Sequence, residues 1–376
     1  MKKQKIFISY LSLIHYRKSV FELLLNNKEI DVHFGVGKIN PIPNMKNFES
    51  NSKNIHFCKN ININFKNNVF TFQLGMLKNI LKVKPDIVIL LGVNPLIVSS
   101  LLIFLFLKLF TKTKILWWGH GTLGNQGVIG KKLRLFFYKK SDGIILYAKS
   151  AIKDLKNNIK KSIPIYVLGN AINTEDYGYL VYNDLIEKKT KTENQTIKII
   201  FSGRITKRKN LDLLIKAVLK IKLETKIPIK LNIVGNGSEK SELEKLVIEN
   251  QLVNEVFFLG ELYGIDIHNL FFENDIYALP SHAGLSVIHA NSFGLPIITS
   301  NDFENHPPEV EFISDSVNGS FYIANSVDSL SEEILVWHKK ILADKNTVVN
   351  NCINSAIKYS PDIMYNKFLE IFKKYD

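Results

Sequence analysis

Short apolar runs alternate along the chain with longer stretches in which apolar positions recur every three or four residues. The runs at 4–10, 30–36, 86–93, 114–118, 143–147 and 164–168 predict strands in the first half. Those at 197–202, 230–234, 255–259, 275–279 and 296–299 predict strands in the second. Strands alternating with helical segments signal a parallel sheet covered by helices, an α/β fold. Between the two series lies "NTEDYGYLVYNDLIEKKTKTENQT", residues 173–196, polar and without clear period. The series therefore runs twice: a first domain over 1–178, a linker over 179–196 and a second domain over 197–358. The tail over 359–376 opens on Ser-Pro and places Met364, Phe368, Ile371 and Phe372 on one helical face. At 376 residues the chain is long for a single core, which agrees with two domains. No repeat of 20–50 residues is present, which excludes a solenoid.

Two apolar stretches imitate membrane signals. The opening "MKKQKIFISYLSLI" has the outline of a signal peptide, but Tyr10 interrupts it and no small-residue cleavage site follows. It predicts a first strand. The stretch "DIVILLGVNPLIVSSLLIFLFLKLF" at 86–110 is long enough to span a bilayer, but Gly92, Asn94 and Pro95 divide it. Asp86–Val93 then reads as a buried parallel strand, Asn94 as an N-cap and Pro95 as the first residue of a helix. That helix, about 15 residues, is shorter than the ~20 a span requires, so it is a core or membrane-surface helix.

Charge divides the chain in the same place. Residues 1–170 carry 27 Lys and Arg against seven Asp and Glu, whereas residues 171–376 carry 22 against 28. A basic half beside an acidic one suits two domains with different partners. No nucleic-acid-binding motif accompanies the basic half, so nucleic acid is not an expected partner. An anionic membrane surface or a phosphate-bearing substrate explains the charge better than a solvated lysine-rich face does. Cys58 and Cys352 form no metal-type or redox-type pair, which points to a reducing compartment.

Candidate chemistry gathers behind the strands of the second half. In "IKIIFSGRITKRKNLDLLIKAV" a strand ends at Phe201, a Ser202-Gly203 turn follows, and Arg204 and Lys209 precede a helix capped by Asn210. Two cations in a loop beyond a strand's carboxyl end suit a diphosphate, Arg as a fork and Lys as a point charge. In "LNIVGNGSEKSELEKL" the loop Gly235-Asn236-Gly237 leads to Ser238 as N-cap, a place where backbone can approach an anion. The pattern lacks the third glycine of a dinucleotide fingerprint, so it does not indicate NAD. "VFFLGEL" then places Glu261 and Leu262 after a strand. "PSHAGLSVIHANSFGLPIITS" at 280–300 is a strand–loop–helix–strand unit, with Gly284 in the turn and Gly294-Leu295-Pro296 ending the helix. In the first half, "KILWWGHGTLG" puts His120 at a strand's carboxyl end, and "SLIHYRKSVFELL" offers His15 and Arg17 after the first strand.

The order of these segments resembles the family 4 glycosyltransferases of the GT-B fold, closely over 197–323 and more loosely in the first half. The resemblance implies two doubly wound Rossmann-like domains facing across a cleft, with the tail helix packing back on the first domain. It implies that Arg204 and Lys209 grip the diphosphate of a nucleotide sugar and that Gly203, Gly235 and Gly237 shape the donor loops. Glu261 and Leu262 would lie at the base, Gly284, Leu285 and Ser286 at the phosphates, and His120 at the transferred sugar. The family carries two glutamates eight residues apart, the second five before a Gly-x-Pro turn. Counting back from Gly294, the first falls on Ser281 and the second on His289. A neutral imidazole can still make one hydrogen bond to a ribose hydroxyl, whereas Ser281 brings no charge. "EFISDSVNGSFY" is similar to a downstream family segment that places Glu311 near the donor, with Glu309 a weaker candidate.

The family reading implies a retaining glycosyltransferase, cytoplasmic and peripheral on the inner membrane face. It would use a nucleotide-diphosphate sugar on a lipid-linked or oligosaccharide acceptor in bacterial surface-polysaccharide synthesis. Arg17, Lys131, Lys132 and Arg134 are candidate guides for a lipid diphosphate. No Asp-x-Asp motif and no His/Cys cluster with ligand spacing is present, so neither metal nor cofactor is expected. Two rivals use the same architecture: a sugar-nucleotide epimerase, which needs cleft carboxylates that the first half lacks, and a non-catalytic nucleotide-sugar-binding protein.

Overall fold

A computed structural model describes residues 3–38, 47–65, 68–94, 96–122, 127–159, 162–176, 178 and 195–376. Pro95 and nearly all of the expected linker lie outside these residues. The chain divides into two compact units, one of 1–173 with 361–376 and one of 174–360.

The first unit is built on β1 (Lys5–Ser12), β2 (Asp31–Gly37), β3 (Ile55–Phe65), β4 (Asn68–Leu74), β5 (Ile87–Leu91), β6 (Lys114–Gly119), β7 (Gly143–Leu146) and β8 (Ile165–Val167). Their order in the sheet is β4-β3-β2-β1-β5-β6-β7-β8. All neighbours run parallel except β3 and β4, an antiparallel hairpin. The sequence reading assigns no strand at β3 or β4. Asparagine and lysine occupy much of this hairpin, and without a continuous apolar run it reads as loop.

The central strands are buried on both faces, and their period of two sends alternate side chains into two cores. Ile87 and Ile89 join one core with α1 (Lys18–Leu25) and the C-terminal helix, Pro361–Lys373. Val88 and Leu90 join the other, beneath α2 (Met76–Val83), α3 (Val98–Phe110), α4 (Val128–Lys140) and α5 (Ser150–Asn158). Helix α3 starts three residues later than the sequence suggests, with Ile97 at its N-cap. Asn94 instead accepts the Leu96 N–H at 3.0 Å, an Asx turn that competes with capping.

The second unit carries β9 (Ile197–Ser202), β10 (Ile229–Val234), β11 (Val256–Gly260), β12 (Ile276–Ala278), β13 (Ile297–Ser300) and β14 (Gly319–Tyr322). They form one parallel sheet in the order β11-β10-β9-β12-β13-β14. Its helices are α6 (Leu211–Glu224), α7 (Lys240–Glu249), α8 (Ile265–Glu273), α9 (Ser286–Ser292) and α10 (Val327–Ile357), and the C-terminal helix is therefore α11. Strand order reverses between β9 and β12. Ligand crevices of open α/β sheets lie outside the carboxyl ends at such a switch point.

Candidate functional site

At the carboxyl ends of β9, β10 and β11 three glycine turns are stacked. The Gly203 N–H donates to Val234 O at 3.0 Å, the Ile205 N–H to Asn236 O at 2.9 Å, and the Gly235 N–H to Gly260 O at 2.7 Å. Gly235 sits at φ +130°, and a Cβ there would collide with the Gly203 carbonyl. A Cβ on Gly237 would collide with the Ile205 carbonyl. The glycines are required because loop meets loop, and their amides are already engaged. The Gly237 N–H is taken by the Asn236 side chain at 2.9 Å. The Gly235 and Gly237 amides are therefore spent within the protein and not on an anion. The adjoining helix N-terminus is corrected too: α7 begins at Lys240 with Glu239, not Ser238, at its N-cap. A carboxylate there disfavours phosphate.

What the stacked turns do present is charge. Arg204 is exposed on the first of them. Lys209 closes a 3-10 turn, Lys207–Lys209, and its Nζ donates to the His282 carbonyl at 2.8 Å. Burial, with Arg208 and Arg204 nearby, lowers the Lys209 pKa to about 8. A cation held close to other cations in a partly desolvated place favours an anionic ligand. Asn210 stands at the N-cap of α6 in the left-handed region, φ 51°, with no capping bond from its side chain.

The 280–285 loop is pinned from three sides, by Lys209, which the sequence reading assigned to a diphosphate, and by two residues that it did not single out. The Tyr322 hydroxyl donates to Pro280 O at 2.8 Å, and the Ala283 N–H donates to His306 Nδ1 at 2.9 Å. An amide can only donate, so Nδ1 carries no proton, and Nε2–H faces Ser300 O at 3.0 Å. His306 is thus a neutral strut, and burial depresses its pKa. Ser281, Gly284, Leu285 and Ser286 occupy this loop and the start of α9, all partly exposed. The Val287 amide, next to the residues expected at the phosphates, is spent on Gly284 O at 3.0 Å.

Helix α9 ends in a Schellman motif. The Leu295 N–H donates to Ala290 O at 3.1 Å and the Gly294 N–H to Asn291 O at 2.9 Å, with Gly294 at φ +74°. Behind it, Asn318 Nδ2 donates to Asn291 Oδ1 at 2.7 Å and Asn291 Nδ2 to Leu295 O at 2.9 Å. This buried amide pair fixes the helix end against the turn before β14. A lone Asn in a polar-looking segment gives no sequence signal for such a role.

His289 lies on the α8 side of α9. Its ring centroid is 4.6 Å from Phe271, 5.2 Å from Phe293 and 6.0 Å from His268. Its Nε2 is sealed from solvent without a hydrogen-bond partner. Burial, then the neighbouring His268, holds its pKa well below the usual value, so the ring is neutral. Glu309 and Glu311 lie in the 3-10 turn Pro308–Phe312, which packs on α9. Glu309 is buried, whereas Glu311 is partly exposed; burial first, then the Glu311 charge, raises the Tyr359 pKa. Glu261 and Leu262 follow β11, and the Tyr263 hydroxyl donates to the Glu261 carboxylate at 3.1 Å.

In the first unit His120 follows β6, exposed, with its ring 4.7 Å from Tyr147. Burial of the surround, then the Arg134 and Arg17 guanidiniums, lowers its pKa to about 4. Arg134, partly exposed, donates from Nη1 to Gly121 O at 2.7 Å and so braces the turn after His120. Lys131 is paired with Asp154 at 2.9 Å, and Lys132 is exposed. Arg17, expected to meet the acceptor, is 2% exposed and packs among rings, its guanidinium 4.8 Å from Trp118 and 5.2 Å from Tyr147. That expectation is corrected, because solvent-borne anions do not reach a cation so enclosed. His15 is exposed in the 3-10 turn before it. Among the described residues no group of three His, Cys, Asp or Glu could hold a metal ion.

Residues 183–358 match the model of the glycosyl transferases group 1 family. An uncharacterized glycosyltransferase of Methanocaldococcus jannaschii is 29% identical over 287 residues, 71% of this chain and 70% of that protein. The N-acetylgalactosamine-N,N'-diacetylbacillosaminyl-diphospho-undecaprenol 4-alpha-N-acetylgalactosaminyltransferase of Campylobacter jejuni is 34% identical over 137 residues, 36% of this chain and 34% of the relative. Among solved structures, Anabaena HepE in complex with UDP superposes with a TM-score of 0.67 at 13% identity, covering 99% of this chain and all of that one. Sequence and fold agree: residues 183–358 carry the glycosyl transferases group 1 domain, and the chain has the fold of the GT-B glycosyltransferases.

Proposed function

We propose that the protein transfers a sugar from a nucleotide-diphosphate donor to a lipid-linked glycan in bacterial surface-polysaccharide synthesis. In this reading the anomeric configuration is retained and no metal takes part. The observation that carries the reading is the cation pair at the switch point, Arg204 on a rigid glycine stack and Lys209 pinned to the 280–285 loop. Transfer requires a leaving diphosphate to gain charge, and fixed cations there stabilise the transition state more than the ground state. The UDP held by HepE and the diphospho-undecaprenol acceptor in the Campylobacter enzyme's name support a nucleotide donor and a lipid-linked acceptor.

His289 takes the ribose in this account. The resemblance puts the ribose at this position, and the neutral ring has one nitrogen, Nε2, without a hydrogen-bond partner. His120, neutral at pH 7, offers a hydrogen bond rather than a charge to the transferred sugar. Glu309 or Glu311, on the turn behind α9, supplies the carboxylate that Ser281 and His289 lack. A thermal-shift series with nucleoside diphosphates tests the donor site. At least one base should raise Tm in the wild type, and Arg204→Ala should lose that shift while keeping its own Tm. No shift with any nucleoside diphosphate would defeat the reading.

A further inference from the structure

Helix α3 is apolar on the side where a soluble protein's helix is polar. Lys108 is the only charged residue from Val98 to Phe110. Ile103, Phe104 and Leu107 fill the core, yet Leu102, Leu105, Leu109 and Phe110 face outward, 57%, 39%, 75% and 71% exposed. Their spacing places three of them in a stripe along the helix, and the Phe106 and Phe110 rings meet at 4.9 Å. Scattered exposed leucines need no explanation, but a contiguous stripe does.

The stripe has a charged frame. Helices α2, α3 and α4 bury their inner sides in one core, so their outer sides share one face of the unit. A cleft of about 460 Å³ between the ends of α2 and α3 is lined by Leu81, Lys84, Leu107, Lys112 and Lys114, which places those lysines beside the end of the stripe. Lys78, Lys82, Lys139 and Lys140 on α2 and α4 are exposed as well. Against them stand Asp86 and Asp142, the latter already paired with Lys108 at 3.0 Å. Large apolar side chains ringed by exposed lysines match the interface of an anionic bilayer, where tails take the former and headgroups the latter. No described helix is long and apolar enough to cross a membrane, and the 13 residues of α3 span only about 20 Å.

We infer that the outer face of α3, with the lysines of α2 and α4 around it, docks the protein on the surface of an anionic lipid bilayer. The inference stands apart from the donor site, because a docking face needs no catalysis. Co-sedimentation with vesicles of phosphatidylglycerol and phosphatidylcholine, or of phosphatidylcholine alone, tests it. The wild type should bind the anionic vesicles at least about tenfold better, with binding weakened by salt. Leu109→Ser with Phe110→Ser should lower that binding about tenfold while Tm is kept, since neither side chain supports the core. Lys112→Glu with Lys114→Glu should lower it too and reduce the salt dependence. Equal binding to neutral vesicles, or unchanged binding by both double variants, would overturn the inference. So would a stable wild-type dimer that the Ser variant makes monomeric, because the face would then belong to a second copy.

Discussion

Lys209 is the residue whose chemistry reports most directly on a bound anion. Its pKa of about 8 means that the fold disfavours its charged form. The cost is present in full below pH 8 and is relieved as pH rises from there toward the unfolded value of about 10.4. A diphosphate reverses the preference, so binding takes up a proton near pH 8. Calorimetry in buffers of different ionisation enthalpy should show that uptake, with affinity falling as pH rises above 8. Lys209→Met should lose about tenfold in affinity together with the pH dependence. His289 gives a second residue-scale expectation. His289→Phe removes a buried ring that resists protonation, so the variant should unfold at lower pH than the wild type. The same change should weaken nucleotide binding, whereas a purely structural histidine would leave it unchanged.

Among the elements, the three stacked turns hold Arg204, and glycine is what lets them touch. Gly235→Ala places a methyl against the Gly203 carbonyl at a φ that alanine disfavours, and should cost at least about 2 kcal/mol in denaturant unfolding. Asn318→Ala strands the Asn291 amide and should cost about 2 kcal/mol. The strand–turn–cation order of 197–209 was legible because strand ends, glycines and basic residues lie together in the chain. The role of Gly235 and Gly237 was legible only in part. Sequence shows that backbone comes close, not whether it meets a ligand or another loop. His306, Tyr322 and Asn318 were not legible, since each acts on a segment 23 to 42 residues away. Arg17 misled for the opposite reason. Cations are rarely buried without a carboxylate, and only the folded arrangement of Trp118 and Tyr147 shows why this one is.

At the scale of the whole molecule, protonation and charge set the working range. Six histidines, 56, 268, 282, 289, 306 and 338, have pKa values lowered chiefly by burial. Below about pH 6.5 the unfolded chain takes up protons that the fold refuses, so stability should fall steadily from pH 6.5 toward 4. A Tm that stays flat across that window would contradict this. The two-unit architecture and the imbalance of charge were readable from composition and period alone, because both sum over many residues. The central claim is sugar transfer powered by the cation pair of the second unit. Release of free nucleoside diphosphate from a panel of nucleotide sugars, with lipid-linked acceptor present, tests it most directly. The account predicts release from at least one donor, reduced about 100-fold or more in Arg204→Ala and Lys209→Met proteins that melt like the wild type. Release at the wild-type rate in both variants, or from no donor at all, would contradict it.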